Sequence, residues 1–169
     1  MNIKILFLLI TLQFSVSAQE TGCWPVFRGN QRLTGSLSAN LPAKPKLLWT
    51  FPTSSMIKST PAVCHNQVVI GTTGGTIYCL DLSGKLLWKF ETSNSIEASP
   101  LILENRVYIG NLEGVFYALD LNNGKKIWEY KTENQIMGSA NWYKSGKTFF
   151  LLVGSYDYYL HCIDAATGK

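Results

Sequence analysis

The chain has 169 residues, 46% of them hydrophobic and 15% charged, which suits a packed globular fold and excludes a disordered polyelectrolyte. Its formal net charge of +4 is small, and its lysines are scattered over what read as turns and strand ends. No basic stripe of the kind nucleic-acid binding needs is present.

Residues 1–18 read as an export signal. Lys4 supplies the basic start, Ile5 to Ile10 with Leu12, Phe14 and Val16 the apolar run, and Val16-Ser17-Ala18 a small-residue cleavage site. The run is too short for a comfortable membrane-spanning helix, and no other segment approaches that length. The expected location is therefore periplasmic or extracellular, with no membrane span. Lipidation of Cys23 is a weaker alternative, because Glu20-Thr21-Gly22 is a poor approach to a lipid-bearing cysteine. Residues 19–45 form a leader ahead of the repeats.

From residue 46 onward the chain repeats at a period of about 40 residues. Trp49, Trp88 and Trp128 mark the period, and Asp81-Leu-Ser-Gly84, Asp120-Leu-Asn-Asn-Gly124 and Asp164-Ala-Ala-Thr-Gly168 recur ahead of the next expected strand. Ile57, Ile96 and Ile136 correspond, as do Gly71, Gly110 and Gly154, and Tyr78, Tyr117 and His161. Short runs rich in Val, Ile, Leu, Tyr and Trp alternate with Gly- and Asn-bearing turns, the pattern of four strands per repeat. In the first repeat these strands fall at roughly 59–64, 67–71, 76–81 and 85–90. The third copy carries four extra residues, which we assign to a longer turn at Lys144-Ser145-Gly146-Lys147. The fold class is all-β: four-stranded antiparallel β-propeller blades, an incomplete propeller of about three. The boundaries are an outer strand at 46–51, a blade at 52–91, a blade at 92–131 and a partial blade at 132–169. A closed propeller takes about four to eight blades, so the sequence reads as the first part of a longer propeller. Open blade edges predict self-association.

The pattern Ala118-x-Asp120-x-x-x-Gly124-Lys125-x-x-Trp128 resembles the docking motif of the pyrroloquinoline-quinone (PQQ)-like propeller family, and Trp24 to Gly35, WPVFRGNQRLTG, resembles a leader of its exported members. The resemblance implies that Trp49, Trp88 and Trp128 each pack on a neighbouring repeat's Asp-to-Gly turn. Asp81, Gly84, Asp120, Gly124, Asp164 and Gly168 are the structural docking residues on this reading. The family includes partner-binding scaffolds and quinone-dependent dehydrogenases. Nothing here matches the adjacent cysteines or calcium ligands of the latter, so we expect no catalytic, cofactor-binding or metal residue and no cofactor. The expected function is an exported, non-enzymatic binding or scaffold module with a protein or peptide partner. The alternative is the first blades of a quinone-dependent dehydrogenase whose active site lies beyond Lys169.

The remaining candidates divide between structure and recognition. A carboxylate recurring in every repeat, as Asp81, Asp120 and Asp164 do, fits turn capping better than chemistry. His65 and His161 belong to no ligand-spaced cluster. Cys79 and Cys162 occupy equivalent positions a blade apart and read as free and buried, and Cys64 lies about 9–10 Å from Cys79 across two strand spacings, beyond disulfide reach. Cys23 is open to pairing. The third repeat is dense in aromatics, from Trp142 and Tyr143 to Phe149 and Phe150. Its Tyr156-Asp157-Tyr158 stands where the other repeats have Thr73-Gly74-Gly75 and Leu112-Glu113-Gly114. Edge packing and a recognition surface are both open readings of that tip.

Overall fold

Residues 22–37 and 42–169 are described by a computed structural model. The expected signal segment 1–18 lies outside the described residues. Three antiparallel sheets follow one another in chain order, and no helix occurs among the described residues. The first holds β1 (Ala62–Cys64), β2 (Gln67–Gly71), β3 (Thr76–Asp81) and β4 (Leu86–Glu91). The second holds β5 (Leu101–Leu103), β6 (Arg106–Gly110), β7 (Val115–Asp120) and β8 (Lys126–Lys131). The third has three strands, β9 (Asn141–Ser145), β10 (Thr148–Gly154) and β11 (Leu160–Asp164). The sheets do not close on one another, the architecture of an incomplete propeller of about three blades.

Local chemistry sets these hairpins. His65 and Asn66 both take positive φ (51° and 58°), the two-residue turn whose twist matches its strands. β1 begins only at Ala62, later than the sequence pattern suggests. Pro61 has no N–H to give a ladder, and the Ser59 hydroxyl is spent on the N–H and carbonyl of Gly71. Residues 46–51 form no strand: no described strand lies beside them to pair with. The four extra residues of the third repeat do not lengthen its turn. Ser145 pairs with Thr148 across Gly146-Lys147, and β9 and β10 have 5 and 7 residues where β5 and β6 have 3 and 5. The insertion extends both arms of the hairpin.

The core lies between sheets. One cluster joins Val69, Ile77 and Cys79 of the first sheet to Val107, Ile109, Tyr117 and Leu119 of the second. Another joins Tyr108, Phe116 and Ala118 to Leu151, Val153 and Ile163 of the third. Each fully buried side chain of this size contributes about 1.5–3 kcal/mol, so sheet-to-sheet stacking holds the molecule together. Gly71 and Gly110 permit close approach: a Cβ there would stand 2.4 Å and 2.2 Å from Cγ2 of Ile96 and Ile136.

The leader crosses the innermost strands of all three sheets. Trp24 exchanges backbone hydrogen bonds with Val63, the Ile102 N–H donates to Pro25 O, and the Gln31 amide donates to Trp142 O. Cys23, unplaced by the sequence, is disulfide-bonded to Cys64 with Cα atoms 4.5 Å apart. Cys79 is free and buried as expected, but Cys162 is exposed. The second sheet covers the first at Cys79, whereas no further sheet among the described residues covers the third at Cys162, whose thiol lies 3.7 Å from the Tyr143 hydroxyl of its own sheet.

Candidate functional site: the indole girdle and the third-sheet tip

Each repeating Asp folds its own turn. Asp81 Oδ1 accepts from the N–H groups of Ser83 and Lys85 and from the Ser83 hydroxyl. Asp120 Oδ1 accepts from Asn122 and Asn123, and Asp164 Oδ1 from Ala166 and Thr167. The Ser83 hydroxyl holds the Asp81 carboxyl below its ordinary range, and the Thr167 N–H does the same for Asp164. Gly84, Gly124 and Gly168 complete these turns at positive φ (84°, 70° and 76°).

An indole lies on each glycine. Trp49 covers Gly84, Trp88 covers Gly124 and Trp128 covers Gly168, with ring atoms 2.6, 2.5 and 2.8 Å from where a Cβ would stand. Each indole N–H donates to the carbonyl one residue past the Asp: Trp49 to Leu82 (2.9 Å), Trp88 to Leu121 (2.7 Å) and Trp128 to Ala165 (3.1 Å). Trp88 is buried, while Trp49 and Trp128 are half-buried, less than a fully enclosed indole. The structure thus brings together all nine residues singled out for docking.

A second aromatic, two residues beyond each Trp, repeats this relation. Phe51 meets Tyr78, Phe90 meets Tyr117 and Tyr130 meets His161, all edge-on at 5.5, 5.6 and 5.5 Å. His161 fills the tyrosine niche of the other repeats. Sequence reasoning did not single out Phe51, Phe90 and Tyr130, although they share the period of the tryptophans.

The tip between β10 and β11 is built differently from its two counterparts. The Asp157 side chain is only 3% exposed and accepts from the N–H groups of Glu133 and Tyr159 and from His161 Nε2 at 3.0 Å. Burial pushes its pKa up, but the backbone N–H groups of Tyr159 and Glu133 and then His161 outweigh that and hold it down. His161 Nδ1 lies 3.0 Å from the Tyr130 hydroxyl. Asp157 therefore locks the loop instead of projecting from it. Tyr156, Tyr158 and Tyr159 do project, at 57%, 99% and 68% exposure. Tyr158 has φ +72°, in the left-handed region, where Gly75 (+81°) and Gly114 (+82°) stand in the other sheets.

The described residues do not fit a quinone with its cation. The recurring carboxylates are committed to their own turns, and no three His, Cys, Asp or Glu side chains among the described residues converge. A groove of about 720 Å³ between the leader and the third sheet is lined by Pro25, Gly29, Asn30, Gln31, Arg32, Thr34 and Trp142, with Arg32 its single ionisable group. No helix of the described residues is long and apolar enough to cross a membrane.

Comparison with known proteins agrees with this architecture. The family described as outer membrane protein assembly factor BamB matches residues 33–169. No curated protein matches the chain. Among solved structures, BamB from Moraxella catarrhalis is 27% identical over 72% of this chain, with a TM-score of 0.61. A europium-containing methanol dehydrogenase is 18% identical over 89% (TM-score 0.74), and the quinohemoprotein alcohol dehydrogenase from Comamonas testosteroni 18% over 91% (TM-score 0.69). At 18% identity, likeness to the two dehydrogenases shows the fold alone. The chain spans 38%, 31% and 27% of the lengths of these three proteins.

Proposed function

The chain belongs to the PQQ-like β-propeller family, and from that premise we propose that it is an exported, non-enzymatic binding or scaffold module that takes a protein or peptide partner at the third-sheet tip. The observation that carries this reading is Tyr158. A side chain in the left-handed region costs about 1–2 kcal/mol, and the same place in the other two sheets holds glycine. The ring is almost wholly in solvent, so packing returns nothing for that strain. Strain of this kind, held by a rigid surround, is a mark of a functional surface. Asp157 supplies the rigid surround, and three tyrosines on a fixed loop offer large amphipathic contact area at low entropic cost. The indole girdle, on this reading, is purely structural: it fixes each sheet against the next and so fixes the tip. Export is supported by the 1–18 pattern and by the Cys23–Cys64 disulfide, which persists in an oxidising compartment.

A displayed random-peptide library selected on the purified protein tests the reading. We expect enriched peptides whose binding is lost in Tyr158→Gly and Tyr156→Ala, while Tyr158→Gly raises unfolding stability by about 1 kcal/mol in a denaturant titration. Peptides that bind both variants as well as the parent would overturn the site. Saturable quenching of tryptophan fluorescence by pyrroloquinoline quinone with Ca²⁺ would favour a dehydrogenase instead.

A further inference from the structure

We propose that a cleft between the second and third sheets, at the far end of β10 from the tip, binds a free α-amino acid with a short side chain. The cleft holds about 190 Å³. Glu104 and Arg106 line it from the second sheet and its β5–β6 turn, and Lys147, Phe149 and Asp164 line it from the third sheet and its β9–β10 turn. Both walls belong to sheets that face each other across a shared core.

The parts that build the cleft occur once in the chain. Residues that serve the architecture recur in every repeat, as the Asp, Gly and Trp of the girdle do. Arg106 and Tyr108 do not: by register they stand where β2 has Gln67 and Val69. The insertion in the third repeat supplies the other wall. The Ala165 N–H donates to Phe149 O as the Leu121 N–H donates to Asn105 O. Phe149 thus stands in a strand at the level where the second sheet is already turning, and Lys147 and Thr148 overhang that turn. The floor is fixed: Ala165 O accepts from Arg106 Nη1 (2.8 Å), the Tyr108 hydroxyl (3.0 Å) and the Trp128 indole (3.1 Å).

The charges select the ligand. Each wall brings one cation and one carboxylate, so the cleft is neutral but has separated poles. Asp164 Oδ1 is committed to its own turn, and Arg106 Nη1 to the carbonyls of Ala165 and Ala166. The Lys147 ammonium and the Glu104 carboxylate, on opposite walls, form no ion pair among the described residues. Arg106 also keeps further guanidinium donors beyond Nη1. A simple anion would meet two carboxylates here, and a simple cation two cations. A zwitterion matches both poles, its acid group on Lys147 and Arg106 and its ammonium on Glu104. Leu103 and Phe149 offer apolar surface to a short side chain. At about 30 Å³ per water the cleft equals about six waters, room for a ligand of about six to eight heavy atoms. Alanine, serine and valine are of that size, and a peptide segment is not. This site is separate from partner binding at the tip and does not rest on that reading.

Titration calorimetry tests it, with L-alanine, L-serine and L-valine as probes and propionate and propylamine as single-pole controls. At least one amino acid is expected to bind saturably, one per chain, with a Kd below about 1 mM, and both controls at least about tenfold more weakly. Glu104 and Lys147 are exposed in turns, so Glu104→Gln and Lys147→Ala should leave the unfolding midpoint unchanged. Each should weaken amino-acid binding by at least about tenfold. Glu104→Gln should also narrow the gap between amino acid and propionate, which a merely structural role for Glu104 would not do. No saturation by any of the three amino acids below about 10 mM would overturn the proposal. So would propionate binding as tightly as the amino acids, the mark of an anion site only, or variants that bind like the parent. Peptide binding at the tip, measured on the same two variants, should be retained, which separates failure of this site from failure of that one.

Discussion

The far face of the first sheet and the far face of the third carry nearly the same side chains and meet opposite fates. Ile77 and Cys79 are fully buried under the second sheet, while their counterparts Leu160 and Cys162 face solvent. Gly71 is pressed by Ile96, and its counterpart Gly154 has nothing within 4 Å of a Cβ. Burial in a repeat fold is thus a property of having a neighbour, and an apolar strand residue does not carry it alone. The second sheet agrees with the first because it is flanked on both sides, with Phe116 and Ala118 enclosed.

Thiol labelling should show this contrast most strongly. Burial pushes the Cys79 thiol up to about 12, so almost none of it is thiolate at pH 8. Cys162 should label with iodoacetamide orders of magnitude faster in the native protein, and Cys79 only on unfolding. Equal labelling would break the comparison. Labelling of Cys162 that slows as protein concentration rises would sharpen it, by showing that a second copy covers that face.

Truncation comes next. Ile77→Ala should destabilise by about 2–5 kcal/mol, and Leu160→Ala by no more than about 0.5 kcal/mol, read from urea midpoints at low protein concentration. Below that in size is a glycine pair. Gly110→Ala forces a methyl into Ile136 and should cost about 1–3 kcal/mol, while Gly154→Ala should be close to neutral. A similar loss at both glycines would mean that the third sheet has a neighbour after all.

Much of this was legible from residue spacing. The period marked the three repeats and the equivalence of His161 with Tyr78 and Tyr117, while the packing of each tryptophan on a neighbouring turn came from the family resemblance and not from spacing. The insertion was visible but not its placement, because extra residues shared by two paired strands look the same in sequence as a longer turn. The Cys23–Cys64 pair was not legible, since it depends on a leader that meets β1 mostly through backbone atoms. Tyr158 could be noticed as a residue standing in a glycine slot, but its left-handed backbone could not. Nor could spacing tell that Asp157 turns inward and leaves only the tyrosines outside.

The smallest expected effect is on pH dependence. Asp81, Asp157 and Asp164 all have folded-state pKa values below the ordinary carboxylate range. Their contribution to stability is therefore full above that range, about 4, and is lost as pH falls through the lowered values. Asp157→Asn should flatten the acid limb of the stability profile slightly and leave stability near neutral pH lower than the parent's. A steeper acid limb in the variant would contradict the assigned hydrogen bonds. Asp157 has no carboxylate counterpart on the first sheet, where Gly74 holds its place, so this effect is absent there.

The leader sets an order on assembly. Its start is tied to Cys64 and Val63, yet Gln31 reaches Trp142 across 111 residues of chain. During synthesis the first sheet can form, and the disulfide can close on it, long before β9 exists. The far end of the leader has to wait for the third sheet, and contacts at such sequence separation are late and slow to form. A strap pinned early at one end and seated last at the other reports, by its own completion, that all three sheets have been laid down in line.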